Sequence, residues 1–329
     1  MSARKKIIIG VLLLVVLVWA NNTSLFSKQQ QRRPQLLAHR GVGQDYPLDG
    51  VTADTCTASR IFQPRNTFIE NTLPSMREAF KDGADIVEFD IHPTVDGDWA
   101  VFHDWTLECR TEGHGVTREQ KLSYLKTLDV GYGYTADGGR TFPLRGQGVG
   151  LMPSLDEVLN AFPEKSFLLH IKSNDPNEGS ALVAKLKTLP DAELRRLLIH
   201  GGERPMSIIR AQLPSVRTWS PQAEKRCLSS YLALGWSGYV PSDCRNSVLM
   251  IPSNIGSLLW GWPNKFLGRM ERAGTSVFVW DEMSLKDMRT GRSKGLNSVQ
   301  DLQKLPSEYS GGIWTDNIEV IGPQIRDRK

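Results

Sequence analysis

A chain of 329 residues with 40% apolar and 23% charged residues is long enough to bury a large core and is too apolar for a disordered polymer. Its net charge of +4 is concentrated in residues 1–33, where Arg4, Lys5, Lys6, Lys28, Arg32 and Arg33 stand without an acid; the remaining 34 bases against 36 acids leave about −2. A nucleic-acid partner is therefore not expected, because such a surface carries its positive excess on the folded domain.

The chain opens on MSARKKIIIGVLLLVVLVWANNTSLF, in which three positive charges precede the apolar run Ile7–Ala20. That run is 14 residues, shorter than the roughly 20 a straight helix needs to span a bilayer, although the uncharged stretch extends to Phe26. It reads either as a transmembrane anchor or as a signal peptide cleaved near Val18-Trp19-Ala20. In both readings the positive flank stays cytoplasmic and the rest is exported, to the periplasmic or extracellular side. The polar stretch SKQQQRRPQ then acts as a linker, dividing an N-terminal segment, 1–33, from one domain over 34–329. Four cysteines suit an oxidising compartment, and no CxxC spacing suggests a zinc site. Of the three pairings, Cys227–Cys244 is favoured by proximity in sequence, with Cys56–Cys109 joining the segments that flank the candidate site.

QLLAHRG is the first expected strand, ending near His39. Residues 42–69, rich in Gly, Pro, Asp and Thr, read as a long loop. ENTLPSMREAFKDGA sets Leu73, Met76, Ala79 and Phe80 at helical spacing, with Asn71 or Thr72 as cap. DIVEFDIH is the second strand, and TVDGDWAVFHD an extended arm with an Asp-Gly turn. Residues 105–150 are turn-rich. Helices and strands then alternate through SLDEVLNAFP, SFLLHIKS, GSALVAKLKTLP, RRLLIHGG, PMSIIRAQLP, VRTWS, AEKRCLSSYLALGW, SVLMIPSN, NKFLGRMERAG, TSVFVWDE, SVQDLQKLP and GGIWTDN. About eight main strands, each but the last followed by a helix, predict a (β/α)8 TIM barrel rather than an open doubly wound sheet. No GxGxxG follows the first strand, which argues against a dinucleotide site.

Polar residues collect where these strands end: His39, Arg40, Glu88, Asp90, His103, His170, Lys172 and Asp316. In a barrel those ends share one face. Glu88 and Asp90, two apart in a strand, point the same way, so one should take up a proton unless a cation lies between them. A divalent ion suits such oxygen donors; a salt-bridged pair with Arg40 or Lys172 is the metal-free alternative. His39 and His103 suit acid–base work near neutral pH, and Arg40 and Lys172 supply fixed positive charge for phosphate oxygens. His92, His114 and His200 are expected in structural hydrogen bonds. Trp260, Trp262, Phe266 and Trp280 read as core, with a lipid-facing wall as the alternative.

His39-Arg40-Gly41, Glu70-Asn71-Thr72, Glu88 to Asp90 and His103-Asp104 stand in the order of a known motif set. The chain thereby resembles the glycerophosphodiester phosphodiesterase family, closely over about residues 36–112 and more loosely at Ile171-Lys172 and Trp314-Thr315-Asp316. The resemblance implies a barrel and a divalent cation, Mg2+ or Ca2+, held by Glu88 and Asp90. It makes His39 and His103 the acid–base pair, gives Arg40 to the phosphate, and brings Glu70 and Asp316 in as support. It implies cleavage of a phosphodiester to glycerol 3-phosphate and an alcohol. The family's third acidic ligand, two residues before the lysine, is replaced by His170, which lowers the ligand charge by one and suits a softer ion. The insert between His-Arg-Gly and Glu-Asn-Thr should lie over the barrel mouth, pinned there by Cys56. Rival readings are a phospholipase of the sphingomyelinase D or phosphatidylinositol-specific phospholipase C design acting on intact lipid, and a non-catalytic tethered binding protein.

Overall fold

Strand phase and helix caps build the expected barrel. The computed structural model describes residues 2–26, 32–52, 55–284 and 294–326; most of the linker stretch SKQQQRRPQ lies outside them. Helix α1 (Ala3–Asn22) precedes β1 (Gln35–His39), α2 (Leu73–Lys81), β2 (Ile86–Pro93) and β3 (Trp99–Val101). Then come α3 (Leu155–Ala161), β4 (Ser166–Ile171), α4 (Pro176–Leu186), β5 (Leu197–Gly201), α5 (Glu203–Gln212) and β6 (Arg217–Trp219). The chain continues through α6 (Pro221–Leu234), β7 (Val248–Pro252), α7 (Asn264–Arg272), β8 (Ser276–Trp280), a short helical turn at Val299–Leu302, β9 (Gly312–Thr315) and α8 (Ile318–Arg326).

Eight strands pair in parallel in the order β6-β5-β4-β2-β1-β9-β8-β7, and β3 folds back antiparallel on β2. A parallel bridge between Thr218 and Ser247 brings the two edges together, so the ring is nearly closed. Helix starts follow local chemistry. Thr72 caps α2 by accepting from the Ser75 N–H, and Ser154 and Glu157 form a reciprocal capping box on α3. The last strand is followed by a helix after all: Gly322 and Pro323 inside α8 hide its periodicity, and Gly322 is there because its backbone passes against Asp82.

Side chains alternate across the strands. Leu37, Ile86, Leu168, Leu198, Phe278 and Trp314 point into the barrel, whereas Val87, Phe89, Leu169 and Ile199 pack outward against the helices. The turn-rich segment builds a second core. Leu107, Leu125, Leu128, Val130, Tyr134 and Leu144 pack with Ile69 and Phe102, and Ala58 and Ile61 of the insert join them.

Helix α1 buries none of its residues, and Ile7 to Leu17 present exposed side chains. Its end is fixed to the barrel: Asn21 and Asn22 donate to the Trp236 carbonyl, and Arg269 donates to the Asn21 carbonyl and the Asn22 side chain. No helix among the described residues is long and apolar enough to cross a membrane. The expected N-terminal membrane segment is therefore not shown: of the 20 residues of α1 the apolar run Ile7–Ala20 accounts for 14, the rest being Ala3, the basic Arg4, Lys5 and Lys6, and Asn21 and Asn22. Both expected disulfides form, Cys56–Cys109 and Cys227–Cys244.

Candidate active site

One step up the barrel from the apolar layer of Leu37, Ile86, Leu168 and Leu198, each strand carries a polar residue of the same phase. His39 follows Leu37, Glu88 and Asp90 follow Ile86, His170 follows Leu168, and His200 follows Leu198. Strand register then places His39 beside Glu88, Asp90 beside His170, and His170 beside His200.

The backbone bends sharply at the start of the site. Arg40 and Asn71 both have φ of 60°, a left-handed conformation that non-glycine residues seldom adopt, and the Asn71 N–H donates to the Arg40 carbonyl at 3.0 Å. Gly41, at φ 81°, lies against the Ser75 side chain where a Cβ would collide. This turn aims the Arg40 guanidinium inward, where Nη1 donates to Glu70 at 2.9 Å and Nε pairs with Asp90 at 3.1 Å.

Two imidazoles are each held through Nδ1 by their own aspartate. His39 donates to Asp316 at 2.6 Å, and His103 donates to Asp104 at 2.5 Å. A carboxylate can only accept, so both rings carry a proton on Nδ1, and each ring when neutral keeps its lone pair on Nε2. Asp316 is itself fixed by the Gly295 N–H and the Asn297 amide, both at 2.8 Å. Asp104 is fixed by buried Arg110 at 3.0 Å, and Arg110 also donates to Thr57 and Tyr134 and pairs with Glu70 at 3.3 Å.

Burial and the Arg40 charge depress the His39 ring, but Asp316 and Glu88 outweigh them and its pKa ends up raised. For His103, burial is reinforced by Arg40 and Lys172, and its pKa falls to about 4. Burial first and then the neighbouring Asp90 push Glu88 upward. Burial would raise Asp90 too, but Lys172 and Arg40 hold it well below the usual carboxylate range. The two side-by-side carboxylates thus diverge as like charges in a buried strand must.

The ordered residues meet as expected for His39, Arg40, Glu70, Glu88, Asp90, His103, His170, Lys172 and Asp316. Lys172 Nζ lies 3.2 Å from Asp90 and His170 Nδ1 lies 2.8 Å from it. His200 makes the hydrogen bond expected of it, but makes it inside the site. Its Nε2 lies 3.2 Å from Glu88 Oε1 and its ring stacks on His170 at 3.9 Å. One ligand atom each from Glu88, His170 and His200 lie within 4.8 Å of one another. Nothing near His200 in sequence marks it; its phase in the strand after Leu198 does. Tyr46 of the insert and Arg110 were also missed, and Tyr46 feels the charges of Arg40 and Glu70. His92 keeps its structural role at 3.4 Å from the His103 carbonyl, whereas His114 is exposed beside Glu108. Phe266 and Trp262 pack in the core, Trp260 is partly exposed, and Trp280 lines the barrel interior next to Trp219 and Trp314.

Five carboxylates (Glu70, Glu88, Asp90, Asp104 and Asp316) face three fixed cations, Arg40, Arg110 and Lys172, an excess of two negative charges. Glu88 Oε2 is buried without a hydrogen-bond partner. An orphaned carboxylate oxygen, imidazoles beside it and a surplus of negative charge fit a divalent cation.

Residues 39–300 match the model of the glycerophosphoryl diester phosphodiesterase family. A glycerophosphodiester phosphodiesterase from Caldanaerobacter subterraneus is 34% identical over 105 residues, 31% of this chain and 39% of that protein. One from Bacillus subtilis is 34% identical over 124 residues, 36% of this chain and 41% of that protein. The chain thus spans about two-fifths of the length of these curated relatives. Among solved structures, the glycerophosphoryl diester phosphodiesterase domain of an uncharacterized Mycobacterium tuberculosis protein has a TM-score of 0.61 at 15% identity, covering 89% of this chain and 99% of that one. An Oleispira antarctica phosphodiesterase in complex with the product sn-glycerol-3-phosphate has a TM-score of 0.53 at 20% identity, covering 90% and 97%. These two likenesses carry the fold; the family match, running from His39 through most of the barrel, carries the assignment, and the chain belongs to the glycerophosphoryl diester phosphodiesterase family.

Proposed function

We propose that this protein hydrolyses glycerophosphodiesters to glycerol 3-phosphate and an alcohol, using His39 and His103 as the acid–base pair. The observation that carries the reading is the pairing of each imidazole with its own aspartate at one barrel mouth. That arrangement leaves two Nε2 atoms to exchange protons with the attacking and leaving oxygens. Family membership supports the reaction class, and the Oleispira antarctica relative holds sn-glycerol-3-phosphate as product.

Arg40 and Lys172 receive the phosphate. Both are held by Asp90 and keep a preset position, and the planar guanidinium matches two phosphate oxygens. Glu88 is the anchor for a divalent cation, which when bound neutralises charge on the phosphoryl oxygens. Arg110 and Asn297 act one contact further out, fixing the aspartates that fix the imidazoles. The barrel from residue 34 onward is the working domain, and we place it outside the cytoplasm. The support is a pair of disulfides and an apolar N-terminal helix whose 14-residue run matches the core of an export signal.

Hydrolysis of a panel of glycerophosphodiesters and intact phospholipids, run with added divalent metal, tests the reaction and its substrate together. His103→Ala should lower turnover on the order of 100-fold or more. Undiminished turnover in that variant removes His103 from the chemistry, and a preference for intact lipid redirects the reading to a phospholipase.

A further inference from the structure

The family's own ligand set is acidic and suits Mg2+ or Ca2+; His170 departs from it in sequence, and the side chains around Glu88 depart from it further. Glu88 Oε1 lies 3.2 Å from His200 Nε2 and 3.7 Å from His170 Nδ1, Glu88 Oε2 is buried without a hydrogen bond, with His39 Nε2 at 3.8 Å, and His170 stacks on His200 with centroids 3.9 Å apart. The separation of 3.2 Å is close to the edge of a tetrahedron, about 3.3 Å, whose metal–ligand bonds are about 2.0–2.1 Å. Asp90 is committed elsewhere. Lys172 at 3.2 Å, Arg40 at 3.1 Å and Asn71 at 3.1 Å already occupy its oxygens. Its remaining contact is with His170 Nδ1 at 2.8 Å, which fixes that ring and leaves its other nitrogen with the lone pair.

We propose that Glu88, His170 and His200 form a two-imidazole, one-carboxylate site for a first-row transition dication of the Zn2+, Co2+ or Mn2+ kind, with Asp90 orienting His170 rather than ligating. Three protein donors leave an open coordination position, and neutral imidazole favours these ions over Mg2+ and Ca2+. The strand register makes the site: His170 and His200 are direct neighbours on β4 and β5, and Glu88 shares their inward phase on β2. What the ion does there rests on the proposed phosphodiesterase reading; where it sits does not.

The test is direct binding to the metal-stripped full-length protein. Co2+ titration should give the visible absorption of a low-coordinate site with nitrogen ligands, and calorimetry should show Zn2+ binding on the order of 100-fold or more tighter than Mg2+ or Ca2+. His200→Gln should abolish the Co2+ band, and His170→Glu should shift preference toward Ca2+. An unchanged Co2+ spectrum in His200→Gln, or wild-type affinity for Ca2+ equal to that for Zn2+, overturns the proposal. Should His200→Gln not fold, an unaltered metal preference in His170→Glu does the same. A parallel hydrolysis assay separates the two claims. Turnover supported by Mg2+ or Ca2+ with no imidazole-dependent Co2+ spectrum overturns this proposal and upholds the phosphodiesterase. The spectrum without turnover upholds the site and overturns the phosphodiesterase.

Discussion

Asp316 shows how one oxygen decides the chemistry of a ring. Its Oδ2 accepts from the Gly295 N–H and the Asn297 amide, while Oδ1 accepts from His39 Nδ1. In Asp316→Asn the two donors at the first position require the amide oxygen there, so the new NH2 faces His39. The ring must then accept at Nδ1 and carry its proton on Nε2, the nitrogen that exchanges protons in the proposed reaction. We expect turnover to fall on the order of 100-fold or more with a smaller change in KM, measured by steady-state kinetics on a glycerophosphodiester. A drop confined to KM would mean that Asp316 serves binding and not the tautomer. Gly41 is constrained as tightly for another reason. Its left-handed φ and its contact with the Ser75 side chain leave no room for a methyl group, so Gly41→Ala should misplace Arg40 and destabilise the fold by roughly 1–3 kcal/mol, read from urea midpoints.

At the level of the element, α6 carries a half-buried acid with no ion-pair partner among the described residues. Glu224 accepts from the Met250 N–H at 2.5 Å, linking α6 to β7, and burial pushes its pKa up to about 8. Its value in the unfolded chain is near 4.5, so between these pH values the unfolded state gives up a proton that the folded state keeps. Stability therefore falls as pH rises through that window and levels off above it. Glu224→Gln keeps the acceptor and removes the titration, so its urea midpoint should change less than that of the parent between about pH 5 and about pH 8. Equal slopes would place the titration elsewhere. The strands themselves were legible in the sequence because period-two patterning is local: Ile86, Glu88 and Asp90 declare a shared face without any knowledge of a partner. His170 was legible beside Lys172. His200 was not, because only the pairing of β5 against β4 brings it to Glu88, and register between strands is set by tertiary packing. Helix α8 was hidden by Gly322 and Pro323, whose helix-breaking tendency is overridden by the close pass against Asp82.

Across the whole molecule, the two disulfides divide stability from function. Cys56–Cys109 closes a separation of 53 residues and Cys227–Cys244 one of 17, which on chain entropy correspond to about 4 and about 3 kcal/mol. Their surroundings differ. Cys56 precedes Thr57, and Cys109 precedes Arg110, so the first bridge fixes both ends of the contact from Arg110 to Thr57 at 2.7 Å. Through Arg110 that contact reaches Asp104 and then His103. The second core around Tyr134 and Ile61 is assembled mostly from an insert and a turn-rich segment with little periodicity of their own, and β3, through Ala100, and the four-residue helix Leu122–Leu125 are the regular elements that reach it. The second bridge ties α6 to the residues before β7, and none of the imidazole-orienting contacts passes through it. The double variant Cys56→Ser/Cys109→Ser should therefore lose kcat as well as stability, because the His103 ring is no longer fixed. Cys227→Ser/Cys244→Ser should lower the unfolding midpoint and leave kcat near the parent value at temperatures where it remains folded. Paired measurements of denaturant midpoint and kcat decide the matter: equal kcat losses in the two variants would show that the bridges act on the fold alone, and that the path from Cys109 through Arg110 to His103 does not govern catalysis.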